Sequence, residues 1–143
     1  MLDENKALVR RAFRALWMDR NWPEVDEVFA ADFVCQTPPS ERRWDREAAK
    51  GFANYWWTVF PDMQLNIKDQ IAEEDRVVSF YSGTGTHSAE SLGVAATGRR
   101  VSMNGIVVSR VAEGKVAEEW YWDDYYTLLK QLGAVPAPAG AAQ

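Results

Sequence analysis

Two adjacent carboxylates, Asp123 and Asp124, follow directly on the aromatic run Trp120-Tyr121-Trp122. A carboxylate walled by aromatic rings loses hydration, and lost hydration raises its pKa toward the range where it can both take and return a proton. That suits general acid/base work. Asp124 is the first choice for this shuttle and Asp123 its rival. The competing role is structural, because an aspartate just ahead of a short helix is a favoured N-cap. Tyr121, on the same strand, is by default a packing residue with its hydroxyl in water. His87 supplies the only imidazole of the chain, and in Thr84-Gly85-Thr86-His87-Ser88 it is either a second polar anchor for acid/base work or a hydrogen-bonded brace at a loop entrance. Cys35 has no basic neighbour in sequence and reads as an inert buried thiol.

Several chemistries are excluded. One histidine and one cysteine are too few for a zinc site of the usual nitrogen and sulfur ligands, although carboxylates alone could hold a harder ion. Gly83, Gly85, Gly93 and Gly98 follow no phosphate-cradling order. No metal, nicotinamide or flavin is therefore expected. A net charge of −5, with 16 basic residues scattered among 21 acids, offers no basic face to a phosphate backbone, which argues against nucleic acid as a partner. No apolar run approaches the roughly 18 to 20 residues that cross a bilayer, and no signal-like segment opens the chain, so the expected compartment is the cytoplasm.

The elements that must position these residues follow from hydrophobic period. The chain has 143 residues, 47% of them hydrophobic and 26% charged, which fits one globular domain over 1–133. Val9, Ala12, Phe13, Leu16 and Trp17 recur at helical spacing and predict a helix over about 3–19. A second helix starts near Pro23. After a short extended piece at 33–36, Asp45 is a candidate N-cap for a third helix that ends at Pro61 and carries Phe52, Tyr55 and Trp56. This helix is expected to be the main one against a sheet. From Met63 the period becomes two, predicting strands over 63–71, 77–86, 101–111 and 116–122, with turns at 73–75 and 112–115. On the last strand Glu119, Tyr121 and Asp123 share one face, while Glu118, Trp120 and Trp122 share the other. A helical turn over 125–132 stops at Gly133, and the Ala/Pro/Gly-rich stretch 134–143 reads as a disordered tail.

Helices first and meandering strands afterwards describe an α+β fold, a curved antiparallel or mixed sheet wrapped around N-terminal helices. Seven tryptophans, five tyrosines and six phenylalanines build a bulky core, a cavity for a flat apolar ligand, or both together. Leu16, Phe52, Tyr55, Trp56, Trp120 and Trp122 are its expected walls. Val, Ile and Trp on both parities of the strands leave apolar surface beyond what one helix layer covers, so a homodimer through the outer sheet face is expected.

Three segments spread through the chain carry a family resemblance: Phe60-Pro61-Asp62-Met63; Gly85-Thr86-His87 with Thr97-Gly98-Arg99; and Gly114-Lys115-Val116 leading to Glu118-Glu119-Trp120, Asp124 and Leu128-Leu129-Lys130-Gln131-Leu132-Gly133. Together they resemble the SnoaL-like branch of the nuclear-transport-factor-2-like superfamily. The resemblance implies a cone-shaped α+β barrel and a cofactor-independent enzyme acting on a hydrophobic, carbonyl-bearing small molecule. The first expectation is a polyketide-type cyclase that closes a ring by an intramolecular aldol-like step. Hydration, hydroxylation or isomerisation on the same fold is the nearby alternative, and a non-catalytic, dimeric binding protein is the distant one. In the cyclases of this family an acid/base aspartate matches Tyr121 here and a histidine matches Val107, so the family's catalytic set is not carried over whole; register with the family nonetheless implies that Tyr121 faces the pocket, where its hydroxyl could donate to a substrate carbonyl.

Overall fold

In a computed structural model, which describes residues 1–135, the stripe of Val9, Ala12 and Phe13 forms the buried face of α1 (Leu2–Phe13). The greater part of the expected tail, 136–143, lies outside the described residues. The helix predicted over 3–19 is not uniform. It continues through a single π-helical turn, Arg14–Met18, in which the Asp19 N–H bonds to the Arg14 carbonyl at 2.9 Å. A π turn accommodates one residue more than an α turn and leaves backbone groups in need of partners. The Trp17 carbonyl finds one in the Trp57 indole N–H, which donates to it at 2.7 Å.

Asn21 caps α2 (Trp22–Val28) by accepting from the Glu24 N–H, with Pro23 in the first turn. The chain then enters β1 (Phe29–Gln36) without a loop, so the strand is longer than the predicted piece at 33–36. A short β2 (Arg43–Asp45) pairs with it antiparallel; its two flanking charges hid it from hydrophobic patterning. Asp45 caps α3 (Arg46–Val59) as expected, accepting from the Ala48 N–H at 2.8 Å. Asp62 then ties the end of α3 to the end of β4. It accepts from the Thr86 N–H and hydroxyl, each at 2.7 Å, and pairs with Arg100 at 3.2 Å.

The meander of β3 (Gln64–Glu73), β4 (Arg76–Thr86), β5 (Arg100–Ala112) and β6 (Lys115–Asp123) is antiparallel throughout. β1 adds to β6 in parallel, which gives a six-stranded mixed sheet of order β2-β1-β6-β5-β4-β3 that does not close. The α+β expectation, including a mixed sheet around N-terminal helices, holds. α4 (Tyr125–Gln131) follows β6, and Gly133 takes the left-handed φ of 77° just beyond it.

One expected placement changes. α1, not α3, lies across β3, β4 and β6, while α3 packs on β1 and β2. The reason is side-chain size. α3 approaches the strands through Ala49 and Ala53, and its large rings are left to point elsewhere. The core accordingly divides into one cluster under α1 and a smaller one around Val59, Phe60, Met63, Val101, Leu128 and Leu132.

Trp57→Phe keeps the ring and removes the donor to the Trp17 carbonyl. The expected cost is about 1–2 kcal/mol in urea denaturation; no measurable change would mean that water satisfies that carbonyl equally well.

Candidate active site

β6 turns three oxygen-bearing side chains inward, Glu119, Tyr121 and Asp123, and cross-strand register decides what each one meets. A bulge sets the phase: Arg110 pairs with Glu118 but Val111 with Val116. Ala117 is thus the extra residue, and Val116 and Glu119 are both buried.

In the row nearest the end of β6, Tyr81, Gly105 and Asp123 lie side by side on β4, β5 and β6. A Cβ at Gly105 would collide with the Tyr81 ring and the Asp123 carboxylate. With only hydrogen there, the Tyr81 hydroxyl reaches over the strand and donates to Asp123 Oδ1. The Tyr125 hydroxyl donates to Oδ2 at 3.3 Å. Burial raises the Asp123 pKa, and the two tyrosine hydrogen bonds oppose that rise without cancelling it.

Further down β6, the Ser109 hydroxyl donates to Glu119 Oε2 at 2.6 Å and the Tyr121 hydroxyl lies 2.9 Å from Oε1. The Trp17 indole N–H donates to the Tyr121 oxygen at 3.0 Å. Glu119 is 2% exposed. Desolvation pushes its carboxyl up to about 7 against the bonds from Ser109 and Tyr121, which favour the charged form. Burial likewise raises the phenols of Tyr81 and Tyr121 and the thiol of Cys35. The tyrosines stay protonated donors, and Cys35 is the inert thiol expected of it.

Tyr81, Tyr121, Asp123, Tyr125 and Cys35 sit at one wall of a cavity of about 500 Å³ that lies between the two core clusters, and Glu119 and Ser109 lie outside its lining. Its other walls are apolar, including Phe13, Trp17, Phe52, Trp56, Phe60 and Leu128. Tyr55 and Leu92, each 43% exposed, stand at its lip. The volume is in the range of small-molecule sites. Asp123 is the only carboxylate among the described residues that line it. No three His, Cys, Asp or Glu side chains among the described residues converge where they could hold a metal ion.

The residues singled out in the sequence divide between cavity and scaffold. Tyr121, Asp123, Phe52, Tyr55 and Trp56 line the cavity. Asp124 does not: it caps α4, accepting from the Thr127 N–H at 3.0 Å and the Thr127 hydroxyl at 2.6 Å. These bonds hold its pKa below the usual carboxylate value, the opposite of the rise expected for it. His87 is fully buried but away from the cavity wall. Its Nδ1 accepts from the Thr97 N–H at 3.1 Å and Nε2 lies 3.3 Å from the Ser91 hydroxyl, so it braces the 87–99 loop. Leu16 is core, one residue short of Trp17, because the π turn rotates Trp17 into the cavity instead. Trp120 and Trp122 fall on the outer face, as strand alternation requires. Trp120 lies under the Arg76 guanidinium, 5.3 Å from its ring, and Trp122 is 46% exposed. Glu119, Tyr81 and Trp17 were not singled out as functional. The alternation that groups Glu119 with Tyr121 and Asp123 was the available signal for the first; Tyr81 and Trp17 needed register and the π turn.

A family model described as SnoaL-like polyketide cyclase matches residues 7–132. Aklanonic acid methyl ester cyclase DnrD of Streptomyces peucetius is 39% identical over 57 residues, 39% of this chain and 39% of that protein. The chain thus matches well under half the length of this curated relative. Among solved structures, AclR of Streptomyces galilaeus, a candidate hydroxylase, superposes with a TM-score of 0.83 at 31% identity, covering 96% of this chain and 89% of that one. IdmH of Streptomyces antibioticus, a candidate polyketide cyclase, gives 0.80 at 30% identity, covering 90% and 98%.

A carboxyl whose pKa is higher folded than unfolded binds its proton more tightly in the native state. Its contribution is complete below the unfolded value near 4.5 and is lost as pH rises through about 7. Glu119→Gln removes that ionisation. The variant is expected to exceed wild type by roughly 1–3 kcal/mol at pH 8 and to match it near pH 4 in urea denaturation. A gap independent of pH would show that Glu119 does not titrate in this window.

Proposed function

The chain belongs to the SnoaL-like polyketide cyclase family, and from that premise we propose that it is a cofactor-independent acid/base enzyme closing a ring in a hydrophobic, polyketide-type carbonyl compound. The observation that carries this reading is Asp123, a half-buried carboxylate in an apolar cavity, held on both oxygens by Tyr81 and Tyr125. A carrier of apolar ligands would use the same aromatic walls but has no need of such a group.

In the proposed reaction the Asp123 carboxylate takes a proton from a carbon beside a carbonyl, which breaks a C–H bond and leaves an enolate. The enolate carbon attacks a second carbonyl of the same molecule, forming the C–C bond, and the resulting alkoxide takes the proton back from Asp123. Protons and electrons balance, and nothing else is consumed. The raised pKa of Asp123 makes it a stronger base than a solvated aspartate. Tyr81 and Tyr125 fix the carboxylate, and the rings of Trp17, Phe52 and Trp56 fold the chain and exclude water. Tyr121 is the carbonyl donor. Asp124 keeps α4 in place, which in turn holds Tyr125.

In this reading the enzyme works in the cytoplasm as a homodimer. The support for a dimer is the outer sheet face, where Phe80, Ile106 and Trp122 lie in one cross-strand row and Val78, Val108 and Trp120 in the next. Such a stripe is larger than isolated exposed apolar residues would make. Sedimentation at micromolar concentration is expected to give twice the mass of 16.2 kDa, and Trp122→Glu is expected to shift the particle to monomer. A wild-type monomer would remove the dimer from the proposal.

The first substrate to try is aklanonic acid methyl ester, after the relative's name. Asp123→Asn is expected to lower turnover roughly 10²-fold or more, while Asp124→Asn, which preserves a cap, stays near wild type. The reverse pattern would return the shuttle to Asp124. Undiminished turnover in Asp123→Asn would sink the acid/base mechanism.

A further inference from the structure

The hydrogen atoms around Tyr121 can be counted from the heavy atoms. The Trp17 indole nitrogen is only a donor, so across its 3.0 Å contact it donates to the Tyr121 oxygen. The Ser109 hydroxyl occupies Glu119 Oε2 at 2.6 Å. Between the Tyr121 oxygen and Glu119 Oε1, 2.9 Å apart, one hydrogen must lie. With Glu119 ionised that hydrogen belongs to the phenol, and Tyr121 shows the cavity only a lone pair. With Glu119 protonated on Oε1, the carboxylic acid donates instead. Tyr121 then accepts from both Trp17 and Glu119, and its own hydrogen has nowhere to point but into the cavity it lines.

We propose that Glu119 is a positioning residue whose protonation turns the Tyr121 hydroxyl from an internal donor into one aimed at a carbonyl oxygen in the cavity. The surroundings of Glu119 favour its neutral form. It is faced by Ser109 from β5, Cys35 from β1 and Tyr81 from β4, with Tyr121, which carries the bond from Trp17 of the π turn, and Asp123 on its own strand. None of these is cationic, and Asp123 is a second acid. A carboxylate there lacks the counter-ion that buried charges need. By linkage, a carbonyl that binds to the Tyr121 hydrogen holds the proton on Glu119 more tightly.

The inference rests on the reading of the cavity as a carbonyl site, and the test separates the two. The probe is 9-fluorenone labelled with ¹³C at its carbonyl, a neutral aromatic ketone without a titratable group. Its carbonyl stretch, observed by infrared difference spectroscopy in the complex, reports a donated hydrogen bond. In wild type the stretch is expected at low frequency at pH 5.5 and to move up by pH 8.5, with affinity falling roughly five- to tenfold. Glu119→Gln, whose amide donates to Tyr121 as the protonated acid does, is expected to keep the low frequency at both pH values. Tyr121→Phe is expected to show the high frequency at both. Asp123→Asn is expected to retain the wild-type transition. A wild-type stretch insensitive to pH, or a transition lost in Asp123→Asn and kept in Glu119→Gln, overturns this inference alone. Failure of fluorenone to bind at any pH overturns it together with the carbonyl reading of the cavity.

Discussion

Three oxygen-bearing side chains in alternate positions of one strand cannot be turned into an apolar interior unless each finds partners, since an unmatched buried polar group costs about 1–3 kcal/mol and a charged one more. Much of the remaining architecture supplies those partners. Gly105 gives up its side chain so that Tyr81 can reach Asp123. Ser109 is the small hydroxyl opposite Glu119. Trp17 comes from the π turn that follows α1, the helix packed on the same face of the sheet. α4 folds back so that Tyr125 meets the last of the three. Each partner comes from a different element, so the polar line along β6 joins sheet, π turn and terminal helix.

The cavity follows from the same arrangement. Rings that would fill the space between the two core clusters instead stand around it, because α3 is drawn to β1 and β2 through alanines and α1 fills the area under β3 and β4. Trp44 and Phe52 meet edge to face at 4.3 Å, and Trp56 stacks near Phe60 and Tyr125 at 6.0 and 6.4 Å. These contacts hold the walls apart at fixed angles. Away from the cavity, Asp62 and His87 anchor the loop between β4 and β5.

The order of elements was legible because it depends on local period and punctuation: the stripe of α1, the Asp45 cap, the alternation after Met63 and the hairpin at Gly114. The strand alternation also placed Glu119, Tyr121 and Asp123 together. Much of what stayed hidden depends on register between distant segments. Nothing near Asp123 in sequence announces Tyr81, which is 42 residues away, or marks Gly105 as the gap between them. Asp124 looked the better acid because it follows three aromatic residues, yet the helix that begins after it takes its carboxylate as a cap. Trp120 and Trp122 looked like cavity walls for the same reason, and parity sends them outward. Leu16 was displaced from the cavity by a winding change that hydrophobic period cannot detect.

The π turn at Arg14–Met18 has a consequence for how this chain tolerates change in length. It is an α-helix that has absorbed one residue, and the absorbed residue rotates everything after it by about the 100° that one helical position spans. Trp17 reaches Tyr121, and its carbonyl reaches Trp57, only at that rotation. A single-residue deletion within the turn would restore a regular helix, which is ordinarily the more favourable local geometry. It would also swing the indole off its phenol. The segment is therefore a place where the shorter, locally better-wound chain is the one that loses the site, so a length polymorphism here would be read by function as well as by folding.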